Sequence, residues 1–254
     1  MAMRFDHPTA ADLPVLHALW REAFGDPDSF IDRFFRTAYH PSRCRCAFAD
    51  DVPAAALYWF DCECEGRRIA YLYGVATFAA FRGQGICRAL MADTHRMLTE
   101  DGYAAAILVP GEGSLFDFYA RMGYSTACTV REFTVDGVPM PVSIRSVDAA
   151  DYAALRRKLL PERGVIQEGE NLAFLAGECG LFAGENFLLA ARMDGDRLTA
   201  AELLGDADAA PGIVTALGCR RGRFRTPGDG RPFAMMLPLC EDFSPPAYFG
   251  LAFD

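Results

Sequence analysis

The residues whose types and spacing have the clearest chemical meaning are Arg82-Gly83-Gln84-Gly85. An apolar, strand-like run ends before them at Val75, and an amphipathic stretch with helical periodicity begins at Gly85. Glycine lets the backbone approach a ligand closely, and the first turn of a helix presents free N–H groups and the positive end of its dipole. This combination predicts a binding site for a phosphate or pyrophosphate group.

Two common phosphate-binding patterns are excluded by the neighbouring residues. A P-loop requires Gly-Lys followed by Ser or Thr at the start of its helix, whereas Gly85 is followed by Ile86 and Cys87. A dinucleotide fingerprint requires a third glycine after Gly-x-Gly, and that position is Arg88. The loop must therefore belong to another kind of phosphate site.

The elements that position this loop follow from the periodicity of the apolar residues. We predict a strand at 3–6 and then two helices, the first ending at Gly25 and the second ending before Pro41. The elements predicted next are strands at about 43–49, 54–62 and 68–76, a helix at about 85–100, a strand at 104–109, a helix capped by Ser114 that ends at Gly123, and a strand at 124–135. The glycine loop then connects a strand to a helix.

The second part of the chain repeats the opening of the first. Asp148-Ala149-Ala150-Asp151 matches Thr9-Ala10-Ala11-Asp12, and each follows a short predicted strand. The order of strand, two helices and hairpin also recurs, which predicts a tandem of two units at residues 1–137 and 138–254. At the corresponding position the second unit has Gly205–Ala210 in place of an Arg-x-x-Gly loop, so only the first is expected to bind the phosphate compound.

Composition limits the partners that we expect. The net charge of −9 over 254 residues argues against a nucleic-acid-binding protein, which would present a basic face. The N-terminal residues contain no apolar signal core, and no apolar stretch is long enough to cross a bilayer. We therefore expect a soluble, cytoplasmic protein without a membrane partner.

Four of the nine cysteines form two Cys-x-Cys pairs, Cys44 with Cys46 and Cys62 with Cys64. Both pairs lie in strand-like sequence, where alternate residues share one face. Zinc sites usually draw on turns with two or more residues between the ligands. We expect reduced thiols and no metal, and a zinc site at these pairs is the alternative.

The glycine loop and a second motif downstream resemble the GNAT N-acyltransferase superfamily. Val75-Ala76-Thr77 followed by Arg82-Gly83-Gln84-Gly85-Ile86-Cys87 is similar to its acyl-CoA motif Gln/Arg-x-x-Gly-x-Gly/Ala, with Cys87 at the usual small position. Residues 115–124 are similar to its helix-borne Phe-Tyr-x-x-x-Gly-Phe/Tyr signature. The resemblance implies an α/β fold of GNAT type in tandem, with a central mixed antiparallel and parallel sheet flanked by helices. It extends more loosely to a degenerate C-terminal unit, as in acetyltransferases of the enhanced-intracellular-survival type.

The resemblance also implies where acetyl-CoA, the expected co-substrate, would bind. The backbone of Val75 and Thr77 would pair with the pantetheine arm at a splay between the fourth and fifth strands. Arg82 would shape the loop entrance, and the pyrophosphate would be held by backbone N–H groups of Gly83, Gln84, Gly85, Ile86, Cys87 and Arg88. For Arg82 and Arg88 the alternative is a pair of solvated surface arginines.

Tyr119 is the catalytic residue that the resemblance implies, since this tyrosine protonates the departing CoA thiolate in the family. A core aromatic on an amphipathic helix is the alternative. Many relatives carry a glutamate on the fourth strand as a proton relay, but residues 68–74 contain no carboxylate. The candidates for the base are a water chain, Tyr71 or Tyr73, and the C-terminal carboxylate of Asp254, the last by similarity to tandem relatives.

The remaining polar and aromatic features have simpler expectations. We expect His95 to be a satisfied surface histidine, and Asp61, Glu63 and Glu65 to solvate the end of a hairpin. Trp20 and Phe24 either wall the acceptor site or pack in the core. The basic run at 220–225 is expected to be a solvated loop.

Two functions from different classes follow from these residues. The first is an N-acetyltransferase that moves an acetyl group from acetyl-CoA to a primary amine of a small molecule or peptide by direct attack. The second is a non-catalytic acyl-CoA-binding or protein-interaction module, which the missing fourth-strand carboxylate and the degenerate second unit favour. Release of CoA in the presence of amines discriminates between them.

Overall fold

A computed structural model describes residues 3–252 and places the first predicted unit as expected. The glycine loop connects the strand β4 to the helix α3. The elements of this part are β1 (Met3–Asp6), α1 (Leu13–Phe24), α2 (Asp28–Thr37), β2 (Cys44–Ala49), β3 (Val52–Cys64), β4 (Arg67–Thr77), α3 (Ile86–Glu100), β5 (Ala105–Leu108), α4 (Gly113–Ala120) and β6 (Ser125–Asp136).

The second part repeats this order, as the sequence predicts, and adds elements that the sequence analysis missed. The missed elements are β8, α7, β11 and β12. In full, the part contains β7 (Ile144–Ser146), α5 (Ala149–Leu159), α6 (Glu170–Ala176), β8 (Gly180–Gly184), β9 (Phe187–Asp194), β10 (Arg197–Gly205), α7 (Ala210–Ala216), β11 (Arg221–Pro227) and β12 (Arg231–Pro238).

All the strands named above join in one mixed sheet, in the order β1-β2-β3-β4-β5-β12-β6-β11-β10-β9-β8-β7. The pairs β4–β5 and β10–β11 are parallel, and the other neighbouring pairs are antiparallel. Strand β12 comes from the second part of the chain but lies between β5 and β6, and β6 in turn pairs with β11. The two halves therefore exchange strands at the centre, and the domain division at residue 137 stays a prediction.

Helices cover both faces of the sheet. On one face α1, α2, α5 and α6 pack with the C-terminal segment in a continuous apolar cluster. On the other face α3 and α4 cover the first half, and α7 covers the second. The predicted central mixed sheet flanked by helices is confirmed.

Two local predictions were wrong. Ser114 does not cap α4, because Glu112 holds the N-cap position and the Ser114 hydroxyl donates to the Glu112 carboxylate. The basic run is not a solvated loop, because most of it forms β11, where Arg223 and Arg225 pair with Glu132. Each segment pairs with a carboxylate. Ser114 donates to the adjacent Glu112, and Arg223 and Arg225 pair with Glu132 on β6.

Candidate functional site

The site begins where the parallel strands β4 and β5 separate. Their register pairs Ile69 with Ala105 and ends with Tyr71 opposite Ile107, although β4 continues to Thr77. A bulge in β4 accompanies the separation, since the β3 register shifts opposite Gly74. Gly74 has φ +59°, and a Cβ there would lie 3.0 Å from Tyr58 and 3.1 Å from Trp20. This position therefore requires glycine for both its conformation and its space.

The end of β4 presents peptide groups to this opening. The Phe78 N–H donates to the Ala54 carbonyl at 3.0 Å, which makes those residues a hydrogen-bonded pair with β3. Because bonded and non-bonded pairs alternate in an antiparallel ladder, the peptide groups of Thr77 point away from β3. The Arg82 side chain donates from Nε to the Thr77 carbonyl at 2.9 Å, so Arg82 ties the loop to the strand end. Arg82 is exposed and makes this one backbone contact, and its role at the loop entrance stays a prediction.

The glycine loop leads from the end of β4 into the first turn of α3. Gly83 and Gly85 have φ +75° and +77°, in the left-handed region that glycine adopts without strain. The first hydrogen bond of α3 runs from the Ala89 N–H to the Gly85 carbonyl at 3.0 Å. The N–H groups of residues 86–88 therefore precede the helical ladder and remain available to an anion. Ile86 is buried, Cys87 is half-buried and Arg88 is exposed, so the loop rests on the core and faces solvent.

Tyr119 lies on α4 at 8% exposure and lines the cavity that opens at the strand separation. Burial raises the pKa of its hydroxyl, and the neighbouring Cys87 thiol raises it further. Burial also raises the pKa of Cys87 to about 11. The Tyr119 hydroxyl is therefore protonated at neutral pH and is able to donate a proton.

Tyr119 packs against Tyr124, which is hydrogen-bonded to His95. The rings of Tyr119 and Tyr124 pack edge to face, with centroids 5.8 Å apart, and the Tyr124 hydroxyl lies 2.7 Å from Nε2 of His95. His95 is half-buried, and burial lowers its pKa to about 4. The prediction that His95 lies on the surface was wrong. The prediction that its ring has a hydrogen-bond partner is confirmed.

The cavity has a volume of about 690 Å³ and is bordered by both halves of the chain. Trp20, Phe24 and Phe30 from the first helices form an aromatic wall of the cavity, with Trp20 beside the bulge in β4. The far wall comes from the end of α6 and from β9 and β10, with Arg192 among its residues. The cavity therefore begins at the strand opening and extends to the second half of the chain, and none of the loop residues 82–88 lines it.

Comparison with known proteins assigns this geometry to a family. Residues 4–127 match the family model of the acetyltransferase (GNAT) domain. This part of the chain belongs to the GNAT family. The resemblance predicted from the two sequence motifs is confirmed for these residues.

Individual relatives agree with the GNAT assignment. A segment of 62 residues is 40% identical to N-acetyltransferase Eis of Mycobacterium tuberculosis (strain ATCC 25177 / H37Ra), and it covers 24% of this chain but 15% of that relative. A probable N-acyltransferase from Enterococcus faecalis V583 has a TM-score of 0.72 at 17% identity, over 94% of this chain and 73% of the other. Eis1 from Mycobacterium abscessus has a TM-score of 0.69 at 12% identity, over 94% and 74%. These structures confirm the fold well beyond the GNAT match at 4–127.

The candidates for the base differ in whether they border the cavity. Tyr71 and Tyr73 both border the cavity, and burial raises the pKa of Tyr73 well above its usual range, with Asp26 and Glu178 among the further causes. Asp61 instead accepts from the Tyr103 hydroxyl outside this cavity, and Glu65 pairs with Arg163 at 3.3 Å. Asp254 lies outside the described residues.

The cavity also contains polar residues that the sequence analysis missed. Asp26, Glu178, Arg192 and Thr199 all border it. Asp26 stands at the predicted start of a helix and the others in the second part of the chain, so no motif marks them. Packing of the second half against the GNAT domain brings Glu178, Arg192 and Thr199 to the site.

The Cys-x-Cys pairs do not form part of the GNAT site. The sulfur atoms of Cys44 and Cys46 lie 3.9 Å apart in the core, and Cys62 and Cys64 are also buried and unbridged. Within residues 3–252, no cluster of three or more His, Cys, Asp or Glu side chains is arranged to hold a metal ion. Among the helices of the same range, none is sufficiently long and apolar to cross a membrane.

The loop geometry predicts a measurable loss of cofactor affinity in Gly85→Ala. A Cβ at Gly85 meets no atom within 4 Å, so the variant changes only the cost of its φ of +77°. That conformation costs a residue with a side chain about 1 kcal/mol or more. We expect the free loop of the variant to relax and CoA binding to restore the original conformation, which corresponds to about fivefold weaker binding of CoA. Isothermal calorimetry with CoA measures this change.

Gly102→Ala is the matched control, because Gly102 also has φ +77° with open space around it but lies past the other end of α3. We expect it to destabilise the protein equally and to leave CoA affinity unchanged. Equal CoA affinities for Gly85→Ala and the wild type would contradict a pyrophosphate site at this loop.

Proposed function

We propose that the protein is an acyl-CoA-dependent N-acetyltransferase that transfers an acetyl group from acetyl-CoA to a primary amine by direct attack. The observation that carries the proposal is that one opening in the sheet joins the glycine loop, the free edge of β4 and the Tyr119 hydroxyl. Acetyl-CoA would lie along it, with its pyrophosphate on residues 83–88 and its pantetheine arm beside Val75 and Thr77. We propose one active site per chain, with its cofactor-binding and catalytic residues in residues 1–137 and part of its acceptor cavity from the second half.

The proposed reaction has two bond changes at the thioester. The amine nitrogen attacks the acetyl carbonyl, and an N–H group of β4 stabilises the oxyanion that forms. The C–S bond then breaks, and the Tyr119 hydroxyl gives its proton to the departing thiolate. The new amide nitrogen loses its extra proton to solvent, and solvent reprotonates the Tyr119 phenolate. Because a free tyrosine has a pKa near 10 and a free thiol near 8.5, this transfer is uphill by roughly 2 kcal/mol before the site adjusts either group.

The amine must reach the thioester without its extra proton. For a lysine-like amine with a pKa near 10.4, deprotonation at pH 7 costs roughly 4.6 kcal/mol. Burial keeps the Tyr73 hydroxyl protonated, so it is not itself a base. A water chain through the cavity is the candidate to carry that proton to solvent, and the hydroxyls of Tyr71 and Tyr73, which border the cavity, would relay it only by passing on their own proton. The negative charge of Asp26 would attract the ammonium form to this place first, whereas that of Glu178 is neutralised by Arg33.

The test combines acetyl-CoA with a broad panel of primary amines and measures released CoA with a thiol-reactive chromogen. We expect release that depends on both the enzyme and the amine, together with CoA binding by calorimetry. Binding without release across the whole panel would instead favour an acyl-CoA-binding module. Absence of CoA binding would contradict the proposed site itself.

A further inference from the structure

We infer that the acceptor is a primary amine that also carries a carboxylate, and that Arg192 and Thr199 receive this carboxylate across the cavity from the ammonium group. The inference rests on the proposed function and names its substrate class. It follows from the positions of the unpaired charges on the cavity walls.

The ammonium end is defined by carboxylates beside β4. Asp26 is half-buried and accepts a hydrogen bond from Nε1 of Trp20 at 2.8 Å, and within residues 3–252 no cation pairs with it. Glu178 borders the same space but is neutralised by Arg33 on α2. Both carboxylates act electrostatically on Tyr73, which places them close to the bulge of β4 where the acetyl group would lie. Asp26 is therefore the carboxylate that a bound ammonium group would neutralise.

The carboxylate end is defined by a guanidinium and a hydroxyl on the far wall. Arg192 on β9 and Thr199 on β10 are direct register partners, so their side chains extend from the same face of the sheet, and both border the cavity. Arg192 has no hydrogen-bond or ion-pair partner among residues 3–252. A guanidinium beside a hydroxyl offers several donors on one side, which suits a carboxylate.

Arg225, the second arginine on this wall, is less suited than Arg192 to bind the carboxylate of the acceptor. Arg225 also borders the cavity, but its guanidinium lies 3.4 Å from the Glu132 carboxylate and stacks over the Phe233 ring at 4.3 Å. Arg192 is thus the cavity arginine whose charge no described carboxylate neutralises. An acceptor with a positive and a negative end fits this arrangement better than a polycation, which would place a charge beside Arg192.

The surface between the two ends indicates an apolar spacer. Trp20 packs against Phe24 and Phe30, with ring centroids 5.5 Å and 6.4 Å apart, and these rings wall the path along the cavity. Aromatic side chains bind the hydrocarbon part of a ligand favourably. We therefore expect an amino acid whose amine and carboxylate are separated by an apolar or aromatic group.

The experiment compares acids with their neutral amides as acceptors for acetyl-CoA. The pairs are para-aminomethylbenzoate with para-aminomethylbenzamide, phenylalanine with phenylalaninamide, and β-alanine with β-alaninamide, which differ in length. CoA release is measured for the wild type, for Arg192→Gln and for Arg197→Gln. Arg197 is the matched control, because it is exposed on the same hairpin but does not border the cavity.

We expect the wild type to prefer at least one acid to its amide. Arg192→Gln should then lower kcat/KM for that acid about tenfold, chiefly through KM, and change the value for the amide less than about twofold. Arg197→Gln should change neither. Wild-type enzyme that does not prefer any acid, or an Arg192→Gln variant that lowers acid and amide alike, would overturn the inference.

Assays with benzylamine and calorimetry distinguish failure of the proposed function from failure of the inference about Arg192. Turnover of benzylamine without any preference for the acids leaves the acetyltransferase intact and removes the role of Arg192. If no amine is acetylated, calorimetric titration of para-aminomethylbenzoate and its amide into the CoA-loaded protein still reports on Arg192. Tighter binding of the acid that Arg192→Gln abolishes supports the inference, and equal binding overturns it.

Discussion

Tyr119→Phe should lower the turnover of acetyl-CoA at least about tenfold while leaving CoA affinity unchanged. The lost hydroxyl is the buried group proposed as the proton donor beside the opening of β4 and β5, and a positioned general acid typically contributes a factor of about a hundred or more. The substituted ring keeps its packing against Tyr124, so the fold around it should be retained. The proposed CoA site is formed by backbone N–H groups of residues 83–88, to which this hydroxyl does not belong.

The control for this prediction is Tyr124→Phe. That variant also removes a buried tyrosine hydroxyl, but one bonded to His95 and not bordering the cavity. We expect a loss of stability of about 1 kcal/mol from the broken hydrogen bond, with turnover close to that of the wild type. Single-turnover measurements at saturating acetyl-CoA compare the two variants on the chemical step. Unchanged turnover in Tyr119→Phe would remove this hydroxyl from the mechanism.

The parts of the site that sequence predicts are those whose chemistry is local. The two glycines with positive φ, the first turn of α3 and the position of Tyr119 on α4 each depend on a few consecutive residues. The Arg82 contact also joins residues only five apart. Short-range steric and hydrogen-bonding requirements leave a readable pattern in such segments.

The parts that sequence did not predict depend on distant pairing. Strand β12 is bounded by Pro232 near its start and Pro238 at its end, and it enters the sheet between β5 and β6. No local sequence pattern predicts that a strand of the second half pairs with the strands of the first half. The far wall of the cavity, with Arg192 and Thr199, follows from the same long-range assembly.

A buried ion pair in the second half shows the same limit. Arg156 stands before Arg157 and Lys158 in the last turn of α5, where a basic cluster normally faces water. It is instead 2% exposed and binds the fully buried carboxylate of Glu202 with two hydrogen bonds, at 2.8 and 2.9 Å. Glu202 lies in the apolar strand β10, so neither residue type reveals its partner.

This pair also supports the C-terminal segment that reaches the cavity. Arg156 donates to the Val165 carbonyl at 2.8 Å, and the side chain of Gln167 exchanges two hydrogen bonds with the backbone of Leu251. The adjacent Ala252 borders the active cavity. The second half therefore contributes to the site through its core as well as through its surface.

Glu202→Gln should lower the free energy of unfolding by about 3 kcal/mol or more. The substitution leaves the Arg156 guanidinium buried without a counter-charge, and breaking a fully buried pair typically costs about 3–5 kcal/mol. Denaturant titration followed by circular dichroism measures the change, and CoA affinity measured in native buffer shows whether the loop at 83–88 stays folded. The double variant Arg156→Met with Glu202→Leu should lose less than the single one, because it removes both charges and fills similar volume.

The matched control for the buried pair is Arg157 with Glu168, the next arginine of the same helix. Its bidentate hydrogen bonds of 2.6 and 2.7 Å are at least as short, but 52% of the Arg157 side chain is exposed. Water therefore solvates either partner when the other is removed, and Glu168→Gln should cost less than about 1 kcal/mol. A cost for Glu168→Gln equal to that of Glu202→Gln would mean that burial does not set the strength of the Arg156 pair. A double variant less stable than Glu202→Gln would mean that the hydrogen bonds of the pair outweigh the cost of its burial.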